Sequence, residues 1–442
     1  MKRLYIPEYV YVKNNFQKNM AVLVSDTFIS DIGPVQSMVD KHRDAVVEVW
    51  EDMILVPGTV NAHNHSFQSL LRGIAADRPF LEWRDNALYK FSPRLTTEDI
   101  YTGALFAFGE MLRCGVTTVS DFFYVHNNGT ESDEAVIRAA RDIGIRLCLA
   151  RTMYDWNGAP QGYLESVAEA VEHTRQLAFR YADQDMVTIV PAPHSLHAAS
   201  LEMIQAGYRL AKELNTAFHI HVAEEMFEVE EVRQKYGLRT IELLDKIGVV
   251  DDNMVIIHGV WLSDSEIETL GVKGGRLAYC PSSNMFLADG ITNIPQMMRA
   301  GVGIGLGSDG ACSNNRISVF EEMRMVALLQ KANTLNAMSV THQQAFAMGT
   351  IGGATVLDLP VGSIQTGHKA DFVGISTADL SMRPISRSGE QLLPNIVYSM
   401  QPTAIRSVVV DGRVCVRDGK LLTVTEQAIL QAVERVMDKF EE

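Results

Sequence analysis

The stretch VNAHNHSFQ places His63 and His65 two positions apart, directly after the apolar run MILVPGTV. In a strand, residues i and i+2 point to the same side, so both imidazoles project into one space. Two neutral imidazoles gain little from packing together, whereas a divalent metal between them binds both. The plainer alternative is a pair of solvated loop histidines, and the rest of the chain has to decide. Other groups stand at comparable places: His194 in VPAPHSLH, His221 and Glu224 in FHIHVAEE, His258 in VIIHGVW and Asp309 in GLGSDG. Taken singly, His258 reads as a satisfied core histidine and Asp309 as a turn aspartate before glycine. His219 alternates with His221 and reads as structural. Histidine makes up only 12 of 442 residues. That His63, His65, His194, His221 and His258 all end apolar runs is hard to explain without a metal.

Those runs are TVNAH, GVTTVSDFF, IRLCLART, MVTIVPAPHS, AFHIHVAEE, MVIIHGVW, GRLAYCPSS and GVGIGLGSDG. The segments between them, such as SLEMIQAGYRLAKELN and GITNIPQMMRAG, have helical apolar spacing. Repeated strand–helix alternation predicts an α/β fold, a (β/α)8 TIM barrel, with catalytic groups at the C-terminal ends of its strands. Residues 1–57 read as short strands with turns, as do residues 404–424, where "DG" between valine-rich runs signals a hairpin. Neither β segment is large enough to fold alone. The expectation is a small β-sandwich domain composed from both chain ends, 1–57 plus 365–442, beside a catalytic barrel over 58–364.

Composition narrows the function. The chain is 47% hydrophobic and 21% charged, ample for a large core. A net charge of −15 argues against a nucleic-acid partner. No run of about 18 apolar residues predicts a membrane span, and MKRLYIPEYVYVKNN lacks a signal peptide's features. The 5 cysteines are scattered without a CxxC pair, which suits a reducing cytoplasm. The expected partner is a small-molecule substrate, in a cytoplasmic protein for which a homo-oligomer is an open expectation.

With PGTVNAHNH, HVAEE, IIHG and GSDGACSNN in view, the chain resembles the amidohydrolase superfamily, in the branch of hydrolytic deaminases that use one metal. The likeness extends to the flanking β segments and to GSIQTGHKADFVGI. It implies a metal held by His63, His65, His221 and Asp309. Two-metal members carry a bridging lysine, usually at the end of the fourth strand. VPAPHSLH has none, so one divalent ion is implied, zinc first, with iron or manganese as alternatives. The implied catalytic residues are Asp309, accepting the attacking water's proton, Glu224, carrying a proton to a nitrogen, and His258, hydrogen-bonding the attacking oxygen. The reaction replaces C–NH2 or C=NH by C=O and releases ammonia.

Two subfamilies suggest different substrates. LLRGIAADRPFLEW, LART and CPSSNMFLADGI resemble S-adenosylhomocysteine and methylthioadenosine deaminases. Where that family grips ribose, this chain aligns Ser92 in place of an acid and Tyr163 in place of an arginine, while Arg151 is retained. Gln68, Arg84, Tyr124 and His194 instead resemble the pocket of formiminoglutamate deiminases, with His197 where those carry an arginine. The expected substrate is a small amidine-like or N-heterocyclic amine. Adenosine-type and triazine- or guanine-type aminohydrolases are the alternatives, and a non-catalytic binding module is a further one. Phe80 and Trp83 read as core, Asn314 and Asn315 as caps of the following helix, and Cys312 as packing.

Overall fold

In the computed structural model, which describes residues 2–441, each of the apolar runs is a strand. They are β1 (Thr59–Asn64), β2 (Val116–Phe123), β3 (Arg146–Met153), β4 (Val187–Pro193), β5 (Phe218–Val222), β6 (Met254–His258), β7 (Arg276–Tyr279) and β8 (Gly303–Leu306). All pair in parallel, as two 4-stranded sheets in sequence order, β1 to β4 and β5 to β8. Most are buried on both faces, so they read as continuous apolar runs without alternation. Helices join successive strands, several opened by capping boxes such as Thr96 with Asp99 and Ser263 with Glu266.

Two seams connect the sheets. A parallel bridge links Ser195, just after β4, to His221 in β5. At the other seam the Asp309 N–H donates to the His63 carbonyl at 3.0 Å, and the Ser308 N–H to Asn61 Oδ1 at 2.9 Å. The backbones approach so closely here that a Cβ on Gly307 would lie 2.8 Å from His63 Cβ and 2.9 Å from its backbone N and O.

Both chain ends enter one 9-stranded mixed sheet. Strand Val46–Pro57 lies between the N-terminal strand Lys2–Val12 and strand Phe372–Ser376. The expected hairpin forms between Ile405–Val410 and Arg413–Arg417, with Asp411 (φ 50°) and Gly412 (φ 76°) both left-handed, as such a turn requires. Tyr5, Trp50 and Phe372 meet edge to face at 5.0–5.8 Å in a core distinct from that of the parallel strands. Helices also form where only β structure was expected: Val35–Lys41, Leu392–Tyr398 and Glu426–Glu441. The last covers helix Thr97–Arg113, seating Phe440 on Phe91 with ring centroids 4.9 Å apart. Its apolar positions repeat at helical spacing, a signal that the short-strand reading of this end overlooked. Among the described residues no helix is long and apolar enough to cross a membrane.

Candidate active site

The C-terminal ends of β1, β5 and β6 and the residues just after β8 converge. Ligand atoms of His63, His65 and His221 lie within 4.8 Å of one another, and so do those of His63, His258 and Asp309. His65 Nδ1 donates to the Phe122 carbonyl (2.5 Å) and His221 Nδ1 to the His194 carbonyl (3.0 Å). A carbonyl only accepts, so each ring carries its proton on Nδ1 and turns the Nε2 lone pair inward. Burial pushes His65 down to about 4 and His221 well below the ordinary imidazole value, which keeps both neutral. His63 is fully buried, yet neither ring nitrogen has a hydrogen-bond partner among the described residues. Asp309 Oδ1 lies 3.5 Å from His63 Nε2 and 3.4 Å from His65 Nε2. An orphaned buried imidazole, two imidazoles locked with free Nε2 atoms and one carboxylate form a donor set that fits a single divalent metal.

Backbone strain marks the same place. Asp309 (φ 58°) and His258 (φ 69°) both occupy the left-handed region that non-glycine residues seldom adopt. Ser283 Oγ donates to Asp309 Oδ2 at 2.6 Å and the Gly310 N–H to Oδ1 at 2.7 Å, which fixes the carboxylate. Asp121, buried beside β1, accepts from the Ser66 N–H and hydroxyl, both at 2.6 Å, and from Asn64 Nδ2 at 3.2 Å. It thereby sets the turn that presents His65. Glu224 lies 3.2 Å from His258 Nε2. Burial, with the charges of Asp289 and Asp309 adding to it, raises the Glu224 carboxyl well above its ordinary value, which favours its protonated form.

A cavity of about 50 Å3 opens onto these groups. Gln68, Arg84, Tyr124, His194 and His197 line it, as expected. Gln68 is locked by donating to Tyr124 Oη (2.9 Å) and accepting from Cys312 Sγ (3.1 Å). The Arg84 guanidinium sits over Tyr89 at 4.6 Å and pairs with Asp85 at 2.8 Å. His194 stacks on His221, and His197 is pushed down to about 4 by burial and by the Arg84 charge, so it is neutral. Arg151 is elsewhere. It is fully buried and paired with Asp133 (3.1 Å) and both oxygens of Glu165 (2.8 Å each), and it does not line the cavity. That network engages all three guanidinium nitrogens, so the position reads as structural support for β3.

Other expectations need adjustment. Phe80 and Trp83, read as core, line the cavity, although Trp83 is also buried and donates to the Cys312 carbonyl. Asn315 accepts from the Gly73 N–H, and Ser318 caps the helix that follows. Tyr89, Tyr154 and Leu287 line the cavity without having been singled out. Tyr154 directly follows β3, so the strand-end rule that found the histidines also covers it. Tyr89 opens a short helix and Leu287 follows the end of one, and neither carries such a marker. A much larger cavity, about 1140 Å3, lies between Tyr11, Phe346 and Gln365. Neither of the metal-competent groups found among the described residues is there, so size does not locate the chemistry.

A model of the Amidohydrolase family matches residues 54–415. The chain belongs to the amidohydrolase family. It is 33% identical to the 5-methylthioadenosine/S-adenosylhomocysteine deaminase of Syntrophomonas wolfei, over 94% of this chain and 93% of that one. It is 34% identical to the 5'-deoxyadenosine deaminase of Methanobrevibacter smithii, over 96% and 94%. Among solved structures it superposes on a zinc-bound adenosine deaminase of Xanthomonas campestris with a TM-score of 0.91 at 25% identity, covering 99% of this chain and 98% of that one. The zinc-complexed atrazine chlorohydrolase of Arthrobacter aurescens gives a TM-score of 0.91 at 21% identity, covering 98% and 100%, and shares the fold. This amidohydrolase is a metal-dependent hydrolytic deaminase, a hydrolase of carbon–nitrogen bonds other than peptide bonds.

Proposed function

We propose that this amidohydrolase deaminates a small planar amidine-like or N-heterocyclic amine, at one zinc ion held by His63, His65, His221 and Asp309. The bound ion supplies Lewis acidity and lowers the pKa of a coordinated water toward neutrality. The chain's own groups then divide the proton work. Asp309, held by Ser283 and Gly310, accepts the proton of the attacking water. Glu224, neutral through burial, delivers a proton to the substrate nitrogen. His258, beside Glu224, hydrogen-bonds the oxygen that becomes the product carbonyl. We take the fold beneath it to be a closed (β/α)8 barrel over 58–364, a reading supported by the Ser195–His221 bridge and the His63–Asp309 hydrogen bond between its two parallel sheets. Beside it we assign 1–57 plus 365–442 to one small β domain, whose described strands belong to the single 9-stranded mixed sheet.

The observation that carries the substrate reading is the Ser92–Tyr163 pair. Their hydroxyls bond to each other at 2.6 Å, both residues are buried, and Tyr163 lines the cavity. With Arg151 engaged by Asp133 and Glu165, no charged pair stands there to hold ribose hydroxyls. Arg84 remains as the arginine lining the cavity, placed to meet a carboxylate or a ring oxygen. The second reading, an adenosine-type substrate, is favoured by the names of the relatives. Ammonia release should be measured as kcat/KM for formiminoglutamate, guanine, an aminotriazine, adenosine and S-adenosylhomocysteine. The proposal expects a compact amine to lead. It also expects His197→Arg to improve formiminoglutamate about tenfold or more, by restoring a bidentate carboxylate clamp. Efficient turnover of the adenosine compounds, with no gain in the variant, would replace it with the second reading.

A further inference from the structure

The segment after β7 contributes no metal ligand, yet it surrounds His258. Thr292 Oγ1 donates to the His258 carbonyl at 2.8 Å, and Gln330 Nε2 donates to the Thr292 carbonyl at 2.8 Å. The Gly259 N–H donates to the Val222 carbonyl at 3.1 Å. These bonds hold His258 in its left-handed backbone, so the ring has one place to be. Its Nε2 faces Glu224 Oε1 at 3.2 Å, and its Nδ1 lies 3.0 Å from Asn284 Nδ2.

Asn284 is fully buried, and its Nδ2 also lies 2.9 Å from Asp289 Oδ2. The structure places the amide nitrogen, not the oxygen, between the ring nitrogen and the carboxyl oxygen, so its two protons can serve one partner each. A neutral imidazole has one donor and one acceptor nitrogen, so a donor facing Nδ1 leaves the proton to Nε2. Asn284 sits on the short helix Pro281–Phe286 directly after Ser283, which orients Asp309. The Asp289 N–H in turn donates to the Asn284 carbonyl at 3.0 Å.

We propose that Asn284 is a positioning residue that fixes the tautomer of His258, with the proton on Nε2 and pointing at the reacting oxygen and Glu224. A donor on Nδ1 excludes a proton there, so Nε2 must carry it. The adjacent Ser283 holds the carboxylate that takes the water's proton, so one turn of helix orients both an acceptor and a donor of the reaction. This rests on the deaminase mechanism above for its consequence, but not for its test.

The test is the two-bond 15N–1H spectrum of the metal-loaded protein labelled with 15N-histidine, with the His258 signals assigned by their loss in His258→Gln. The expected pattern is a protonated Nε2 and an unprotonated Nδ1. In Asn284→Ala the two forms should mix. For that variant kcat should fall about a hundredfold, the loss typical of one misplaced transition-state donor, with KM and metal content within about threefold. A protonated Nδ1 in the unaltered protein would overturn the proposal, and so would an Asn284→Ala protein with unchanged spectrum and kcat. If that variant does not fold, the spectrum of the unaltered protein decides alone. No substrate is needed for it, so failure of the deaminase reading would show separately, as a metal-loaded protein that releases no ammonia from any amine tried.

Discussion

At the scale of residues, burial does most of the chemical work. It keeps His65 and His221 neutral and favours the protonated form of Glu224, which are the forms the proposed reaction needs. Glu224→Gln should retain metal and substrate affinity but lose about 10²–10⁴ in kcat, because the amide cannot deliver the proton. Wild-type turnover in that variant would remove Glu224 from the mechanism. Glu228, whose carboxyl lies beside the backbone of Glu224 and Ala223, tests the effect of burial on stability. It is buried, and desolvation raises its carboxyl to about 8. A raised carboxyl binds more protons folded than unfolded, so its contribution to stability is present at low pH. That contribution is lost as pH rises from the ordinary glutamate value toward 8, at up to about 1.4 kcal/mol per pH unit. Glu228→Gln should therefore be more stable than the parent at pH 8 and show a flatter decline across that window. Denaturant unfolding at several pH values measures it, and identical slopes would show that Glu228 does not hold its proton.

At the scale of elements, the strands were legible because parallel strands buried on both faces must be continuous apolar runs, and the clustered histidines end them. His63, His65, His194, His221, His258 and Asp309 were accessible from the sequence for that one reason. The cavity walls were less so. Tyr89 and Leu287 belong to helical stretches whose periodicity does not tell a pocket wall from a core. The orienting pair Ser283 and Asn284 follows β7, the one strand end after β3 that offered no charged residue or histidine to notice. Arg151 shows the opposite failure: a retained residue type whose partners, Asp133 and Glu165, only the folded chain reveals. Element packing also makes a demand at Gly307, where a Cβ would press on His63 backbone atoms at 2.9 Å. That neighbour is main chain and cannot swing aside. Gly307→Ala should displace His63 and cut metal stoichiometry well below one per chain, measured by elemental analysis of the folded variant. Full occupancy would mean that the seam yields more readily than its contacts imply.

At the scale of the whole molecule, the composite sheet is fastened to the parallel strands by charge as well as by apolar packing. Arg146 opens β3 and pairs with Asp371 (3.0 Å) and Asp411 (2.9 Å), residues flanking strands of the sheet. Arg146→Ala would leave the fully buried Asp371 carboxylate without its cation, which should cost about 3–5 kcal/mol. Calorimetry would show it as a lowered Tm, and an unchanged Tm would mean that the two parts are held without this pair. One metal, held on residues from three strand ends, is proposed to enable the release of ammonia. The most direct measurement of this is to strip the protein with chelator, add back zinc in known amounts, and follow bound metal and ammonia release together on an active amine. The prediction is that activity rises linearly to a break at one zinc per chain, and that His221→Ala neither holds that zinc nor regains activity. Full ammonia release from metal-free protein, or a His221→Ala protein that binds zinc and works as well as the parent, would contradict it.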